Sequence, residues 1–166
     1  ETWAEPQMIR FAIGMAIMFA LAFVPIWFWR TISIPAYLIC VLLLVAVDVV
    51  GQVGMGAQRW LQIGPVRLQP SELTKISLVL LLAAYYDWLP LEKVSRPLWV
   101  LIPVILILLP VGLVLGQPDL GTALMLIMGG GLVMMAAGVS LWYFGGVAGM
   151  VGGAIYAVMA SRGTDW

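Results

Sequence analysis

Histidine is absent from the 166 residues, and Cys40 is the only cysteine. A His/Cys metal centre, a Ser/His/Asp hydrolytic set and an intrachain disulfide are thereby excluded. Cys40 sits in an apolar run, where a thiol behaves as a small buried hydrophobe. Charge is scarce as well. Asp, Glu, Lys and Arg make up 10% of the chain, against about 25% in a soluble domain. With 63% hydrophobic residues and a mean hydropathy of +1.08, such a chain could not cover its surface with polar groups in water. It belongs in a bilayer. Eight basic residues balance eight acidic ones, so no basic face offers itself to nucleic acid. No Walker loop and no metal-ligand spacing occurs. The start, ETWAEPQ, has neither an initiator Met nor a basic n-region, which argues against a signal peptide, and the end, SRGTDW, stops as a polar turn begins. Both ends are expected to be cut, leaving residues 1–166 as a single membrane domain of a larger protein.

What the chain does have is long apolar runs. A spanning helix needs about 20 mostly apolar residues. Six segments qualify, 8–29, 34–50, 72–88, 98–116, 120–138 and 143–160, predicting an all-α polytopic bundle. Each is apolar all round, as for helices facing lipid or one another. The segment Arg30-Thr31-Ile32-Ser33 reads as a tight turn, with Pro35 opening the next helix. Residues 51–70 form the only long loop. Pro25, Pro103 and Pro110 are expected to bend the helices that hold them. Gly112 and Gly116, the row Gly145, Gly149 and Gly153, and the triplet Gly129–Gly131 read as close-packing positions. Tryptophans near the span ends, Trp88 and Trp99 among them, suit interfacial anchoring. Four basic residues on the side of the long loop against three on the other set no orientation.

Polar chemistry is concentrated in GAQRWLQIGPVRLQPSELTK, residues 56–75. Ser71 is placed to cap the third helix, with Glu72 in its first turn. Glu72 and Lys75, at i and i+3, can meet on one helix face. Ionisable groups at that depth are costly unless paired or facing a wet cavity, which makes a functional site the default reading and a helix-seating ion pair the plain one. Arg59 and Arg67 offer planar forks suited to phosphate or carboxylate, or to lipid headgroups. Trp60 is an interfacial anchor or the wall of a groove, and Asp48 is a candidate partner for Arg59. A second constellation is Gly116-Gln117-Pro118-Asp119-Leu120-Gly121-Thr122. Pro118 pushes Gln117 out of helical geometry, and Asp119 can cap the helix that follows. A capping turn is the first reading of Asp119 and a catalytic carboxylate the second.

GAQRWLQIG, then VRLQPSELTK, then QPDLGTA, in this order and on helices of this number, resemble the RodA/FtsW/SpoVE (SEDS) family, with VDVVGQVGMGAQRW closest to RodA. The resemblance covers the whole chain, about the front half of a family member. It implies a multi-pass protein of about ten spanning helices in the bacterial inner membrane. The implied activity is that of a peptidoglycan glycosyltransferase polymerising lipid II at the outer face, with a class B penicillin-binding protein as partner and membrane lipids around it. Loop 51–70 and the QPDLGT turn would be external. The family's proposed catalytic aspartate lies in a motif resembling LDPxxDP, in a large external loop after the seventh helix. These residues do not contain that motif, and Asp165 is not assigned catalysis. No catalytic residue is therefore expected here, and the isolated chain is expected to be inactive. The substrate-binding or cavity residues carried over are Arg59, Trp60, Gln69, Pro70, Ser71, Glu72, Lys75, Gln117, Asp119, Gly121 and Thr122. No metal ligand is expected in this chain, although a divalent cation at the pyrophosphate is compatible with the complete enzyme. Two other readings compete: a carrier of lipid-linked sugar across the bilayer, and a scaffold that docks a partner's membrane helix.

Overall fold

The computed structural model describes residues 4–50, 52–54, 57–63 and 66–162, with side chains throughout except at 4, 52–54, 57–60, 62–63, 66–67 and 162. Six α-helices follow one another: α1 (Ala4–Ala22), α2 (Ile26–Val50), α3 (Pro70–Trp88), α4 (Pro97–Gly116), α5 (Leu120–Ala136) and α6 (Leu141–Arg162). Between α2 and α3 run three short strands, β1 (Gln52–Gly54), β2 (Ala57–Ile63) and β3 (Val66–Leu68). Among the described residues, α1, α2, α4 and α6 are long and apolar enough to cross a membrane by length and composition. α5 has 17 residues, at the short end of the spanning range. α3 has 19, and Glu72, Lys75 and Asp87 set it apart from the others.

The helical bundle agrees with the sequence reading, but the first two boundaries move. The expected span 8–29 is two pieces. α1 ends at Ala22 because Pro25 has no N–H for the Leu21 carbonyl and its ring disfavours helical geometry at Val24. The carbonyls of Ala20 and Leu21 instead accept from Phe23 and Val24, at 3.3 and 3.1 Å. Pro25 thus ends a helix rather than bending one. The turn expected at 30–33 is helix. Thr31 and Ser33 fold their hydroxyls back onto the Trp27 and Arg30 carbonyls, both at 2.8 Å, so their polar atoms are satisfied without leaving α2. Pro35 accordingly lies inside α2 and does not open it.

α3 is the hub, touching α2, α4 and α5, while α4 packs along α5. The core draws on Leu44 and Val47 of α2, Leu78 and Leu82 of α3, Val114 of α4 and Leu126 of α5, all at most 1% exposed. α1 and α6 supply none of the described buried residues. That placement corrects the glycine reading. A Cβ added at Gly112, Gly116, Gly145, Gly149 or Gly153 would meet nothing within 4 Å, because nothing described packs on those faces. Gly130 is the close-packing glycine: a Cβ there would come within 2.5 Å of Ile107 on α4.

The two prolines of α4 are buried, and the helix stays continuous through both. Each proline leaves the carbonyl four residues earlier without its helical donor. Pro103 frees Trp99 and Pro110 frees Leu106. Tyr85 of α3 donates its hydroxyl to the Trp99 carbonyl at 2.8 Å, and Tyr37 of α2 donates to the Leu106 carbonyl at 2.7 Å. Two neighbouring helices thus complete the hydrogen bonding of a third, as a span in lipid requires.

Candidate functional site

The sheet between α2 and α3 is an antiparallel meander in the order β1-β2-β3. Val53 pairs with Gln58 across β1 and β2, with an irregularity next to Gln52, and Leu61 pairs with Leu68 across β2 and β3. β2 touches both α2 and α3, so the stretch read as a loop is a small platform beside the start of α3. Arg59 and Trp60 belong to β2 and Arg67 to β3, but their side chains lie outside the described residues. The pairing suggested between Asp48 and Arg59 therefore lies outside them too. The Asp48 carboxylate itself is exposed near the end of α2.

The start of α3 differs from expectation in its cap. Gln69, not Ser71, is the N-cap residue, with extended backbone and no side-chain capping bond. Pro70 takes the first helical position, where its fixed φ and missing N–H are no handicap, and this moves the cap back to Gln69. Pro70 and Ser71 are buried inside the first turn. Thr74 anchors that turn by donating its hydroxyl to the Pro70 carbonyl at 2.8 Å.

Glu72 and Lys75 do meet, with Lys75 Nζ 2.8 Å from Glu72 Oε2. The lysine side chain is 26% exposed and the glutamate 55%. Lys75 also points across to α5, with Nζ 3.7 Å from Met125 Sδ. A cation held by a carboxylate on one side and by a weak sulfur acceptor on the other keeps donor capacity to spare, since an ammonium has three N–H groups.

α5 begins at the same end of the bundle. Asp119 is its N-cap: Oδ1 accepts from the Thr122 N–H at 3.2 Å and Oδ2 from the Thr122 hydroxyl at 2.8 Å. Gly121 lies beside this cap, where an added Cβ would stand 3.8 Å from Asp119 Oδ1. Gln117 is 5% exposed and donates Nε2 to the Leu44 carbonyl of α2 at 3.1 Å, which makes it a fastener between helices. The capping role carries a prediction. Asp119→Ala is expected to destabilise the complete protein by about 1 kcal/mol, and Asp119→Asn by only a few tenths, since Asn caps about as well. Unfolding midpoints in detergent would measure both.

The structure thus brings Gln69–Lys75 and Gln117–Thr122 to one end of the bundle. Of the three clefts it describes, two lie at the far end and the third runs between α2 and α3 from Leu73 to Leu80, and neither Glu72 nor Lys75 lines any of them. One ion pair at the far end escaped the sequence reading: Arg30 of α2 and Asp87 of α3, 2.9 Å apart. Their opposite charge near span ends was the available signal, but 56 intervening positions hide a contact that only the packing of α2 on α3 creates.

A bundle of apolar helices with its ionisable groups gathered at helix ends defines a multi-pass membrane protein. Residues 2–164 match the FtsW/RodA/SpoVE family of cell cycle proteins. The chain belongs to that family. It is 38% identical over 146 residues to the peptidoglycan glycosyltransferase MrdB of Escherichia coli K12, covering 87% of this chain and 38% of MrdB. It superposes on the rod shape determining protein RodA of Thermus thermophilus with a TM-score of 0.73 and 33% identity, over 90% of this chain and 48% of RodA. A chain from a peptidoglycan synthase complex, studied for the coordination of polymerization and crosslinking, gives 0.76 and 32%, over 96% of this chain and 46% of that one. The chain therefore spans well under half of the length of its curated relative and just under half of these solved ones.

Proposed function

We propose that this chain is part of a peptidoglycan glycosyltransferase that polymerises lipid II at the outer face of the bacterial inner membrane during cell elongation. In this reading a class B penicillin-binding protein crosslinks the product, and the end of the bundle bearing Glu72 and Asp119 faces outward. The observation that carries the proposal is Lys75, held by Glu72 at 2.8 Å and turned toward α5 at the start of a membrane helix. Family membership supports it, as do the names of the relatives: MrdB is a peptidoglycan glycosyltransferase and the Thermus protein determines rod shape.

In the reaction a glycan 4-hydroxyl attacks the anomeric carbon of a lipid-linked donor. The new C–O bond forms as the bond to the lipid diphosphate breaks, and the hydroxyl proton passes to a carboxylate base. No residue of this chain is assigned as that base. Negative charge grows on the departing diphosphate, and a cation fixed beforehand at that place stabilises it without reorganising. Lys75 is given this role, with Arg59 and Arg67 of the adjoining strands as supporting cations. Glu72 holds the ammonium in position. Gln69, Pro70 and Ser71 shape the first turn that presents it, and Asp119, Gly121 and Thr122 fix the neighbouring helix start. Among the described residues no three His, Cys, Asp or Glu side chains lie together.

The test is reconstitution of the complete protein with its penicillin-binding partner in vesicles containing labelled lipid II. Glycan polymer without transbilayer movement of lipid II is expected. Transbilayer movement without polymer would replace the polymerase reading with that of a carrier.

A further inference from the structure

The far end of the bundle holds a feature that the polymerase reading does not use. Arg30 and Asp87 form an ion pair whose side chains remain 55% and 61% exposed. Such pairs hold weakly, because water or a competing ligand readily replaces either partner. A cleft of about 280 Å³ lies on one side, walled by Ile26, Trp29, Leu80 and Ala83. A second, of about 310 Å³, lies on the other, walled by Ile34, Leu81, Trp88 and Leu106. Arg30 and Ala84 border both. Trp88 and Trp99, with ring centroids 6.0 Å apart, mark this end as the membrane–water interface. The remaining cleft, around Cys40 and Leu73, has no charged residue in its lining.

We infer that Arg30, Asp87 and the paired clefts form a binding site for a two-chain zwitterionic amino-phospholipid of the phosphatidylethanolamine type. The match is one of charge and shape. The guanidinium presents a planar fork to a phosphate, and the carboxylate accepts from an ammonium. Both charges are needed, in contact, because the headgroup carries both within a few bonds. An acyl chain lies in each cleft, divided by Ala84. An anionic lipid would satisfy Arg30 but press its charge on Asp87, and a trimethylated choline head has no N–H to donate. The inference is independent of Lys75 and of the polymerase reading.

The experiment is native mass spectrometry of the complete protein released from nanodiscs with equal parts of phosphatidylethanolamine, phosphatidylglycerol and phosphatidylcholine. The wild type is expected to retain the ethanolamine lipid about tenfold over the other two, the ratio that one charge-assisted hydrogen bond supports. Arg30→Gln is expected to cut that retention about tenfold. Asp87→Asn, isosteric at an exposed position, is expected to keep a bound phospholipid but lose the preference for ethanolamine over glycerol. Ala84→Trp, filling both clefts while leaving the charges alone, is expected to abolish retention. Equal retention of all three lipids by the wild type, a preference for the anionic lipid, or an unchanged preference in Asp87→Asn would each overturn the assignment.

Discussion

Replacing Lys75 with alanine is expected to lower lipid II polymerisation by the complete protein about 100-fold, with membrane insertion unaffected. Removal of one preorganised donor at a developing negative charge commonly costs this much. Insertion should survive, because the side chain is 26% exposed at the start of α3 and its partners are a half-exposed glutamate and one sulfur atom. Glu72→Ala is expected to cost about tenfold, since it leaves the charge in place and loses only its position. The pair acts as a unit, so the double substitution should be no slower than Lys75→Ala alone. Single-turnover rates at saturating lipid II separate this from a binding defect, because a contact made only in the transition state lowers kcat rather than raising KM. Arg59→Ala in the same assay tests the supporting role of β2. Near-normal rates for Lys75→Ala would leave the ion pair as a helix fastener and nothing more.

The parts legible in the sequence were those governed by local composition. Six apolar runs became six helices, and Glu72 met Lys75 because i and i+3 share a helix face wherever that helix lies. Asp119 capped α5 for a similar reason, since a carboxylate just before a helix has free N–H groups within reach. The misreadings arose where a residue admits two local answers. Pro25 and Pro35 are both prolines near apolar runs, yet one breaks the chain and the other rides within α2. Each removes the helical donor of the carbonyl four residues back, Leu21 for Pro25 and Thr31 for Pro35, so the local pattern does not separate them. The meander in 52–68 was hidden in a segment whose strands are three, seven and three residues long, too brief for alternation to stand out. The dipeptide Gly64-Pro65 is a turn signal in the sequence. The glycine rows failed for another reason. Small-residue spacing says that a close approach is allowed, and only the packing decides whether a helix is there to make it.

The tyrosine–proline couplings on α4 were beyond any local reading, and they lead to the second large expected effect. Tyr37→Phe and Tyr85→Phe are each expected to destabilise the protein by about 1–3 kcal/mol, and the two together by nearly the sum. Each substitution keeps the ring and its packing but leaves a carbonyl of a membrane helix with no donor. The two sites are seven residues apart along α4, about 10 Å, far enough for near additivity. Tyr86→Phe supplies the control. Its hydroxyl is buried with no hydrogen-bond partner among the described residues, so its loss is expected to be neutral or slightly stabilising. The decisive comparison adds Pro110→Ala, which restores an N–H to the helix and so a donor to the Leu106 carbonyl. In that background Tyr37→Phe should cost much less than in the wild type, and the double-mutant cycle in a detergent unfolding titration measures the difference. Equal costs in both backgrounds would show that Tyr37 stabilises the bundle by packing alone. A reduced cost would show that the prolines of α4 are tolerated because α2 and α3 supply the missing donors, which ties the packing around the α3 hub to the helix that carries Lys75.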